Sequence, residues 1–131
     1  NTDFEAEVMR LTNGEGVNVA YDSVGKDTMA RTITSTKRRG TIIAFGQSSG
    51  PYADFKITDL AKGSYYLSRP TLFHFVGDRS WLDAASAKLF KAVTDGTINV
   101  SINQRFALED VAKAHEALTG RATTGCTILT V

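Results

Sequence analysis

The sequence has a single cysteine, Cys126, among its 131 residues. One thiol forms no disulfide within the chain and supplies no multi-cysteine zinc site, so the class of disulfide-stabilised small proteins is excluded. A scarcity of cysteine is typical of proteins in a reducing compartment. We therefore expect a cytoplasmic protein in which Cys126, at the start of a strand, packs in the core.

Long hydrophobic runs are also absent. No apolar stretch approaches the roughly 20 residues that a membrane-spanning helix needs. The first residues, Asn1-Thr2-Asp3-Phe4-Glu5, lack the basic-then-apolar order of a signal peptide. The sequence predicts no membrane association, and its start at a residue other than methionine suggests a fragment of a longer chain.

Charge of one sign is in short supply as well. Fifteen basic and 14 acidic residues leave a formal charge of +1, too little to attract nucleic acid or an anionic membrane surface. The only basic run, Lys37-Arg38-Arg39, lies just before Gly40, and we interpret it as cations at the negative end of a helix. The length and ordinary globular composition predict one domain with one core.

Hydrophobic spacing and turn residues predict an alternation of helices and strands. A Thr2/Glu5 capping box is expected to open the first helix, and Ser80 with Asp83 the clearest one, which ends at Gly96. Strands are predicted at residues 17–24, 41–45, 64–68, 99–105 and 126–131, helices at 2–11, 27–38, 80–95 and 108–119, and a short helical turn at 55–62.

The apolar run from Thr41 to Phe45 is typical of a strand covered on both faces, as in parallel sheets. The fold class predicted is therefore α/β, with a parallel sheet and flanking helices. His115 falls on the apolar face of its helix, where a half-buried packing role is favoured over catalysis. His74, between two phenylalanines, suits a substrate contact and lid packing equally well.

Ligands of open parallel sheets bind at the carboxyl ends of the strands. Three loops are expected to meet there: Asp22-Ser23-Val24-Gly25, Gly46-Gln47-Ser48-Ser49-Gly50 and Ser68-Arg69-Pro70. Glycine lets the backbone approach a flat ligand closely, and hydroxyl groups can hydrogen-bond to it. A turn with no ligand explains the glycines equally well, so the residues alone leave both interpretations open.

A dinucleotide fingerprint of three spaced glycines after a strand is absent. Gly14-Glu15-Gly16 precedes a strand instead of following one, and nothing upstream gives Asp22 the role of the ribose-binding acid. Either the protein binds no dinucleotide, or the segment that holds the pyrophosphate lies outside this sequence.

Four segments, taken together and in order, resemble the carboxyl-terminal part of the NADPH:quinone oxidoreductases, the zinc-independent branch of the medium-chain dehydrogenase/reductase superfamily. The resemblance extends over essentially the whole chain, and its specificity comes from all four segments being in register. They are Val-Ala-Tyr-Asp-Ser-Val-Gly (19–25), Arg-Arg-Gly-Thr-Ile-Ile-Ala-Phe-Gly-Gln-Ser-Ser-Gly (38–50), Ser-Arg-Pro-Thr-Leu (68–72) and Ala-His-Glu-Ala-Leu-Thr-Gly-Arg-Ala-Thr-Thr-Gly (114–125).

The resemblance implies a division into two parts. Residues 1–95 would be the second half of a Rossmann cofactor-binding domain. Residues 96–131 would be a strand-helix-strand segment that returns to a GroES-like catalytic domain. Family members are longer than this chain, and their glycine fingerprint lies in the part that is not present here.

The resemblance further implies hydride transfer from NADPH to a quinone, without a metal and without an assigned catalytic residue. Phe45, Gly46, Ser48 and Ser49 would line the nicotinamide end of the cofactor, and Ser23 and Gly25 its adenosine side. Outer cofactor contacts would come from Arg69, Arg121 and Gly125.

A homodimer through the edge strand Ser64–Ser68 is also implied, because that edge commonly joins two subunits in the superfamily. Three alternatives stay open at this point. They are a related zinc-containing alcohol dehydrogenase, an enoyl reductase, and a non-catalytic dimerisation or structural module.

Overall fold

The computed structural model describes residues 3–131. It contains two compact units, the first ending at His74 and the second spanning Phe75–Val131. The single domain that the chain length predicts is therefore wrong. The predicted fold class is confirmed, since the strands are parallel and helices flank them. The assignment of residues 1–95 and 96–131 to two domains of a longer protein stays a prediction.

The first unit opens with helix α1. Asp3 caps this helix and accepts hydrogen bonds from the amides of Glu5 and Ala6; Thr2, the predicted capping residue, lies outside the described residues. The elements of the first unit are α1 (Phe4–Leu11), β1 (Val17–Asp22), α2 (Met29–Thr34), β2 (Thr36–Ala44), a 3-10 helix (Ile57–Lys62) and β3 (Tyr66–Ser68).

The three strands of this unit form one parallel sheet in the order β1-β2-β3. In register, Ala20 lies opposite Ile42, and Ile42 lies opposite Leu67 on its other side. Because the strands run in the same direction, all three carboxyl ends lie at one edge of the sheet.

The core of the first unit lies between α2 and the sheet. Met29 and Ile33 of α2 pack with Ile42 and Ala44 of β2, and Ile42 is 0% exposed. Burial of a side chain of this size contributes about 1.5–3 kcal/mol relative to leaving it in water. The central strand is thus anchored by α2 on this face.

The opposite face of the sheet is uncovered within the described residues. Val19, Tyr21 and Tyr66 are exposed there, although strand 41–45 was expected to be covered on both faces. That expectation is wrong for this chain, and only the α2 face of β2 is buried.

The junction of α2 and β2 also differs from the prediction. The helix predicted over 27–38 ends at Thr34, and the strand predicted from Thr41 begins at Thr36. Lys37-Arg38-Arg39 therefore lies in a strand, and its predicted place at a helix end is wrong. The register shows why: Val17 lies opposite Thr36 but Val19 opposite Thr41, so the segment bulges out of the ladder.

Two other strands are shorter than predicted. β1 ends at Asp22 instead of residue 24, because the chain turns there around the Asp22 side chain. β3 begins at Tyr66 instead of Ser64, whose φ of 53° lies in the left-handed region and does not fit a strand.

The second unit contains α4 (Arg79–Thr94), β4 (Ile102–Ala107), a 3-10 helix (Leu108–Asp110), α5 (Val111–Thr119) and β5 (Cys126–Thr130). A short helix that the sequence did not predict, α3 (Phe73–Val76), spans the division between the units. β4 and β5 form a two-stranded parallel sheet in which Arg105 lies opposite Ile128. β4 starts three residues later than predicted.

Helix α4 begins at a different residue from the one that the sequence predicts. Asp78 is the N-cap and accepts hydrogen bonds from the amides of Ser80 (2.9 Å) and Trp81 (3.3 Å). The predicted box of Ser80 and Asp83 is wrong, since Asp83 pairs with Arg79 instead. Gly96 ends the helical segment as predicted, with a φ of 75° that favours glycine.

None of the helices among residues 3–131 combines the length and the apolar character needed to cross a bilayer.

Candidate functional site

The three loops expected to meet at one sheet edge do so in the first unit. β1 ends at Asp22, β2 at Ala44 and β3 at Ser68, all at the same edge. Residues 23–28 are hereafter the first loop, residues 45–50 the second loop and residues 69–72 the third loop. The predicted convergence of these loops is confirmed.

The first and second loops are hydrogen-bonded to each other along their length. The amides of Ser48 and Ser49 donate to the carbonyls of Ser23 (3.2 Å) and Val24 (2.9 Å). The hydroxyl of Ser49 donates to the Val24 carbonyl at 2.7 Å and accepts from the Asp27 amide at 3.0 Å. The two loops therefore form one unit, with the Ser49 hydroxyl occupied between them.

Close backbone packing explains why glycine is needed at two positions of the site. A Cβ atom at Gly46 would lie 2.5 Å from the carbonyl oxygen of Ser23 and 2.9 Å from its Cα. At Gly25, where φ is +86°, a Cβ atom would lie 2.5 Å from the Gly50 carbonyl oxygen. Only glycine lets the loops approach this closely, so their lack of side chains is required before any ligand is considered.

Asp22 lies beneath both loops and is 3% exposed. One carboxylate oxygen accepts from the amides of Val24 (2.9 Å) and Gly25 (2.8 Å), and the other from the hydroxyls of Thr28 (2.8 Å) and Thr32 (2.7 Å). Burial acts to raise the pKa of Asp22, but the hydrogen bonds from Gly25, Thr32, Thr28 and Val24 outweigh it and lower the pKa. The carboxylate is thus held in its charged form.

An apolar cavity of about 230 Å³ lies under the second and third loops. Its wall joins the core of the first unit to the loops, and Arg69 is the one charged side chain among its described lining residues. The lining residues are Gly25, Met29, Ala44, Gly46, Gln47, Pro51, Tyr52, Phe55, Leu67 and Arg69.

The remaining predicted site residues of the first unit do not line this cavity. Phe45 is 51% exposed at the carboxyl end of β2, and Ser48 is exposed in the second loop. Ser23 lines a separate cavity of about 210 Å³ whose wall also includes Phe4, Tyr21, Asp22 and Thr28. The exposed Phe45 ring offers an apolar surface at the sheet edge where ligands of this fold collect.

Arg121 and Gly125 belong to the second unit, in the turn between α5 and β5. Both adopt positive φ, 55° and 66°. A Cβ atom at Gly125 would lie 2.5 Å from the Ser101 carbonyl oxygen, so this glycine also permits a close backbone approach. Their predicted role as outer cofactor contacts stays a prediction.

Two other sequence-based expectations are corrected by the structure. Cys126 is exposed instead of packed in the core. His115 is exposed on α5 instead of half-buried, although it borders a cavity of about 160 Å³ with Val111 and Leu118. Both residues belong to the second unit, which buries little of its apolar surface. His74 is exposed in α3.

The site residues that sequence reasoning missed are Asp22, Thr28 and Thr32. The sequence predicts Asp22 in the first of the three loops without a ribose-binding role, and it assigns no role to the two threonines. The signal was their spacing: Thr28 and Thr32 are four residues apart, which places both hydroxyls on one helical side next to the end of β1.

Comparison with known proteins places the chain in a family. The family described as zinc-binding dehydrogenase matches residues 1–129. The quinone oxidoreductase of Salmonella typhimurium is 42% identical over 125 residues, which are 93% of this chain and 38% of that protein. The 2-haloacrylate reductase of a Burkholderia species is 38% identical over 129 residues, 97% of this chain and 39% of that protein.

The fold comparison agrees. A crystal structure of Escherichia coli quinone oxidoreductase complexed with NADPH matches with a TM-score of 0.89 and 36% identity. The match includes 100% of this chain and 41% of that one. The chain thus spans about two fifths of the length of the relatives that it matches.

The family description raises the question of zinc. Among the residues that the structure describes, no three His, Cys, Asp or Glu side chains lie together in a way that would hold a metal ion. The described residues therefore do not fit a zinc site. The resemblance in the four motifs and the matches along the whole chain agree, and the chain belongs to the zinc-binding dehydrogenase family, with quinone oxidoreductases among its relatives.

Proposed function

We propose that the chain is part of an NADPH-dependent oxidoreductase that transfers a hydride to a quinone. The observation that carries the proposal is the meeting of three loops at the carboxyl edge of a parallel sheet, beside an exposed phenylalanine and an apolar cavity. Two relatives whose similarity extends over 93% of this chain are quinone oxidoreductases, and a similar crystal structure contains NADPH.

The loop cluster fits the nicotinamide end of such a cofactor. Phe45 offers an exposed apolar ring, and Gly46 provides backbone without a side chain beside it. Ser48 adds an exposed hydroxyl, while Ser49 contributes by joining the two loops because its own hydroxyl is occupied. Bound here, the cofactor would supply the hydride.

Two arginines and the first loop are assigned to the other parts of the cofactor. Arg69 is an exposed guanidinium at the rim of the cavity and suits the negative charge of the cofactor phosphates. Ser23 and Gly25 are assigned to the adenosine side, and Arg121 and Gly125 to outer contacts. These residues act by binding and orientation, which by themselves lower the barrier to a transfer between two held reactants.

The proposal is tested by titrating NADPH into the full-length parent protein and into the 131-residue chain, each followed by a quinone reduction assay. We expect binding and activity in the parent only, because the pyrophosphate-binding fingerprint is absent from this sequence. A parent that binds NADPH but reduces no quinone would move the assignment to another reductase. A parent that binds no NADPH would favour the non-catalytic module.

A matched pair of variants links the activity to the site. Phe45→Ala removes the exposed ring at the end of β2 and is expected to weaken NADPH binding in the parent by about tenfold, as loss of one stacked ring of this kind does. Phe90→Ala removes an exposed ring (67%, against 51% for Phe45) from α4 and is expected to leave NADPH binding unchanged. Equal effects of the two variants would contradict the placement of the site.

A second candidate is the reduction of an activated carbon–carbon double bond. The observation favouring it is the 38% identity to a 2-haloacrylate reductase over 97% of this chain. The same hydride donor and loop cluster would serve both reactions. Comparison of kcat/KM for a benzoquinone and for a small unsaturated acid in the parent decides between them.

We also propose a homodimer through the edge strand. β3 (Tyr66–Ser68) lies at the end of the sheet order and Tyr66 on it is exposed, so this strand is the edge that we propose for pairing. Tyr66→Lys is expected to convert a dimeric parent to a monomer. A monomeric mass of the unaltered parent in solution scattering would refute the dimer.

A further inference from the structure

We propose that Asp22 is a positioning residue that holds the first and second loops in the arrangement that receives the cofactor. The inference rests on the proposed function, since it concerns the same loop cluster. Asp22 itself contacts no ligand in this proposal; it acts through Gly25, Phe45 and Gly46.

Asp22 contacts both loops, with different atoms. Its carboxylate accepts the amides of Val24 and Gly25 in the first loop. Its main-chain carbonyl accepts the amides of Phe45 (2.9 Å) and Gly46 (3.2 Å) in the second loop. One residue therefore sets the relative position of the two loops from beneath.

The carboxylate also connects the loops to the core. The hydroxyls of Thr28 and Thr32 donate to its second oxygen, and Thr32 is buried on α2 next to Met29 and Ile33 of the core. Every described donor to this carboxylate is uncharged, so no lysine or arginine competes for its orientation. The loops are thus fixed to the best-packed part of the unit.

Small movements of Asp22 would displace the proposed cofactor-binding surface directly. Gly46 is packed so closely on Ser23 that a single added carbon would overlap its backbone. Contacts this tight do not absorb a displacement, so a shift of the first loop moves Gly46 and Phe45 with it. Displacements of about 1 Å at such a surface are enough to lower binding and turnover.

The test uses the full-length parent with three variants. Asp22→Ala removes the side-chain hydrogen bonds from all four donors, and Thr32→Val removes one of these donors with little change in shape. Thr36→Val is the matched control: it also removes one buried threonine bond, from the Thr36 hydroxyl to the Thr32 carbonyl (2.7 Å), but at the end of α2 away from the loops. Thermal midpoints, NADPH dissociation constants and steady-state kinetics are measured for each.

We expect Asp22→Ala to raise the dissociation constant of NADPH by about tenfold and Thr32→Val by about threefold. The KM for NADPH should rise by similar factors, while kcat at saturating NADPH falls less. Thr36→Val should lower the thermal midpoint about as much as Thr32→Val and leave NADPH binding unchanged. Hydrogen exchange at the amides of Gly25 and Gly46 should quicken in Asp22→Ala and Thr32→Val only.

The outcomes separate three cases. If Thr32→Val and Thr36→Val lose the same thermal stability and bind NADPH equally well, Asp22 serves folding alone and the inference is overturned. If Asp22→Ala does not fold, the comparison of Thr32→Val with Thr36→Val still decides whether Asp22 positions the loops or serves folding alone. Failure of the proposed function would be seen earlier and separately, as absence of NADPH binding by the unaltered parent.

Discussion

The two units have similar elements but bury very different amounts of side chain. In the first unit Met29, Ile33, Ile42 and Ala44 form a buried cluster, and Asp22, Thr32, Ser35 and Thr36 are buried polar residues. Among the described residues of the second unit, the only buried hydrophobic side chain is Ala114. Leu89, Phe90 and Val93 of α4 remain exposed.

The difference shows that a segment can form regular secondary structure without contributing to a hydrophobic core. Helix α4 has 16 residues, a capping aspartate and side-chain ion pairs, all of which are local to its own sequence. It nevertheless buries none of its residues. A two-stranded sheet is too small to enclose a core, whereas the three strands of the first unit with α2 across them are sufficient.

Each unit has its own fluorescent side chains, so the stabilities of the two units can be measured separately. All four tyrosines, at positions 21, 52, 65 and 66, lie in the first unit, and the single tryptophan, Trp81, lies in the second. We expect the Trp81 fluorescence of the 131-residue chain to change at lower urea concentration than the tyrosine signal. A common midpoint for both signals would show that the units unfold as one.

The largest effect is expected at the centre of the first core. Ile42→Ala should lower the free energy of unfolding of the first unit by about 2–5 kcal/mol, because it leaves a cavity at a side chain that is 0% exposed. Ile98→Ala, the same change at a 41% exposed side chain in the second unit, should cost about 0.5 kcal/mol or less. Urea titrations followed by the two signals measure both.

The second prediction compares glycines that are required for different reasons. Gly46→Ala should destabilise the first unit by about 1–3 kcal/mol, since the new methyl group overlaps the Ser23 backbone. Gly96 in the second unit has open space around its Cβ position but a φ of 75°, which asparagine tolerates. Gly96→Asn is therefore expected to be nearly neutral in the same urea titration, and a large loss there would contradict this account.

Much of this first unit follows from the sequence, because its signals are either local or imposed by topology. Periodicity gave the helices and strands, and the parallel arrangement then required the loops after Asp22, Ala44 and Ser68 to share an edge. The start of β2 was missed for the opposite reason. Within its bulge the Arg39 amide donates to the Gly63 carbonyl (2.7 Å), a contact distant in sequence that no local pattern encodes.

The role of Asp22 was missed because its partners carried a misleading local signal. Threonine is a weak helix former, so helix propensity alone disfavours a helix at Thr28 and Thr32. In the structure they donate to a buried carboxylate, and this tertiary contact outweighs the weak propensity. In the second unit the exposure of Cys126 was missed similarly, since burial depends on what covers a strand and not on its residues.

The third prediction concerns pH. The pKa of Asp22 is lowered in the folded chain, so its charged form stabilises the first unit above the unfolded pKa of about 3.9. That stabilisation is lost as the pH falls through the lower folded pKa. Asp22→Asn should cost about 1 kcal/mol at neutral pH and flatten the fall of the tyrosine-detected urea midpoint between neutral and acidic pH. An unchanged profile would show that other groups control it.

Asp78 provides the matched carboxylate in the second unit. Hydrogen bonds from Ser80 and Trp81 lower the pKa of Asp78, so its sign of pH dependence is the same. It is, however, an exposed cap, and asparagine caps helices about as well as aspartate. Asp78→Asn is expected to change the Trp81-detected midpoint less than Asp22→Asn changes the tyrosine-detected one.

The smallest effect is expected on the surface of α4. The Arg79 side chain pairs with Asp83 one turn away, with Nε and Oδ1 2.8 Å apart and both side chains exposed. Arg79→Ala should cost about 0.3–0.5 kcal/mol at low salt, because an exposed pair gains little over its hydrated ions. At 1 M salt the cost should vanish through screening. A larger, salt-independent loss in the Trp81 signal would mean that Arg79 packs against apolar surface, and that the second unit has more of a core than its exposed side chains indicate.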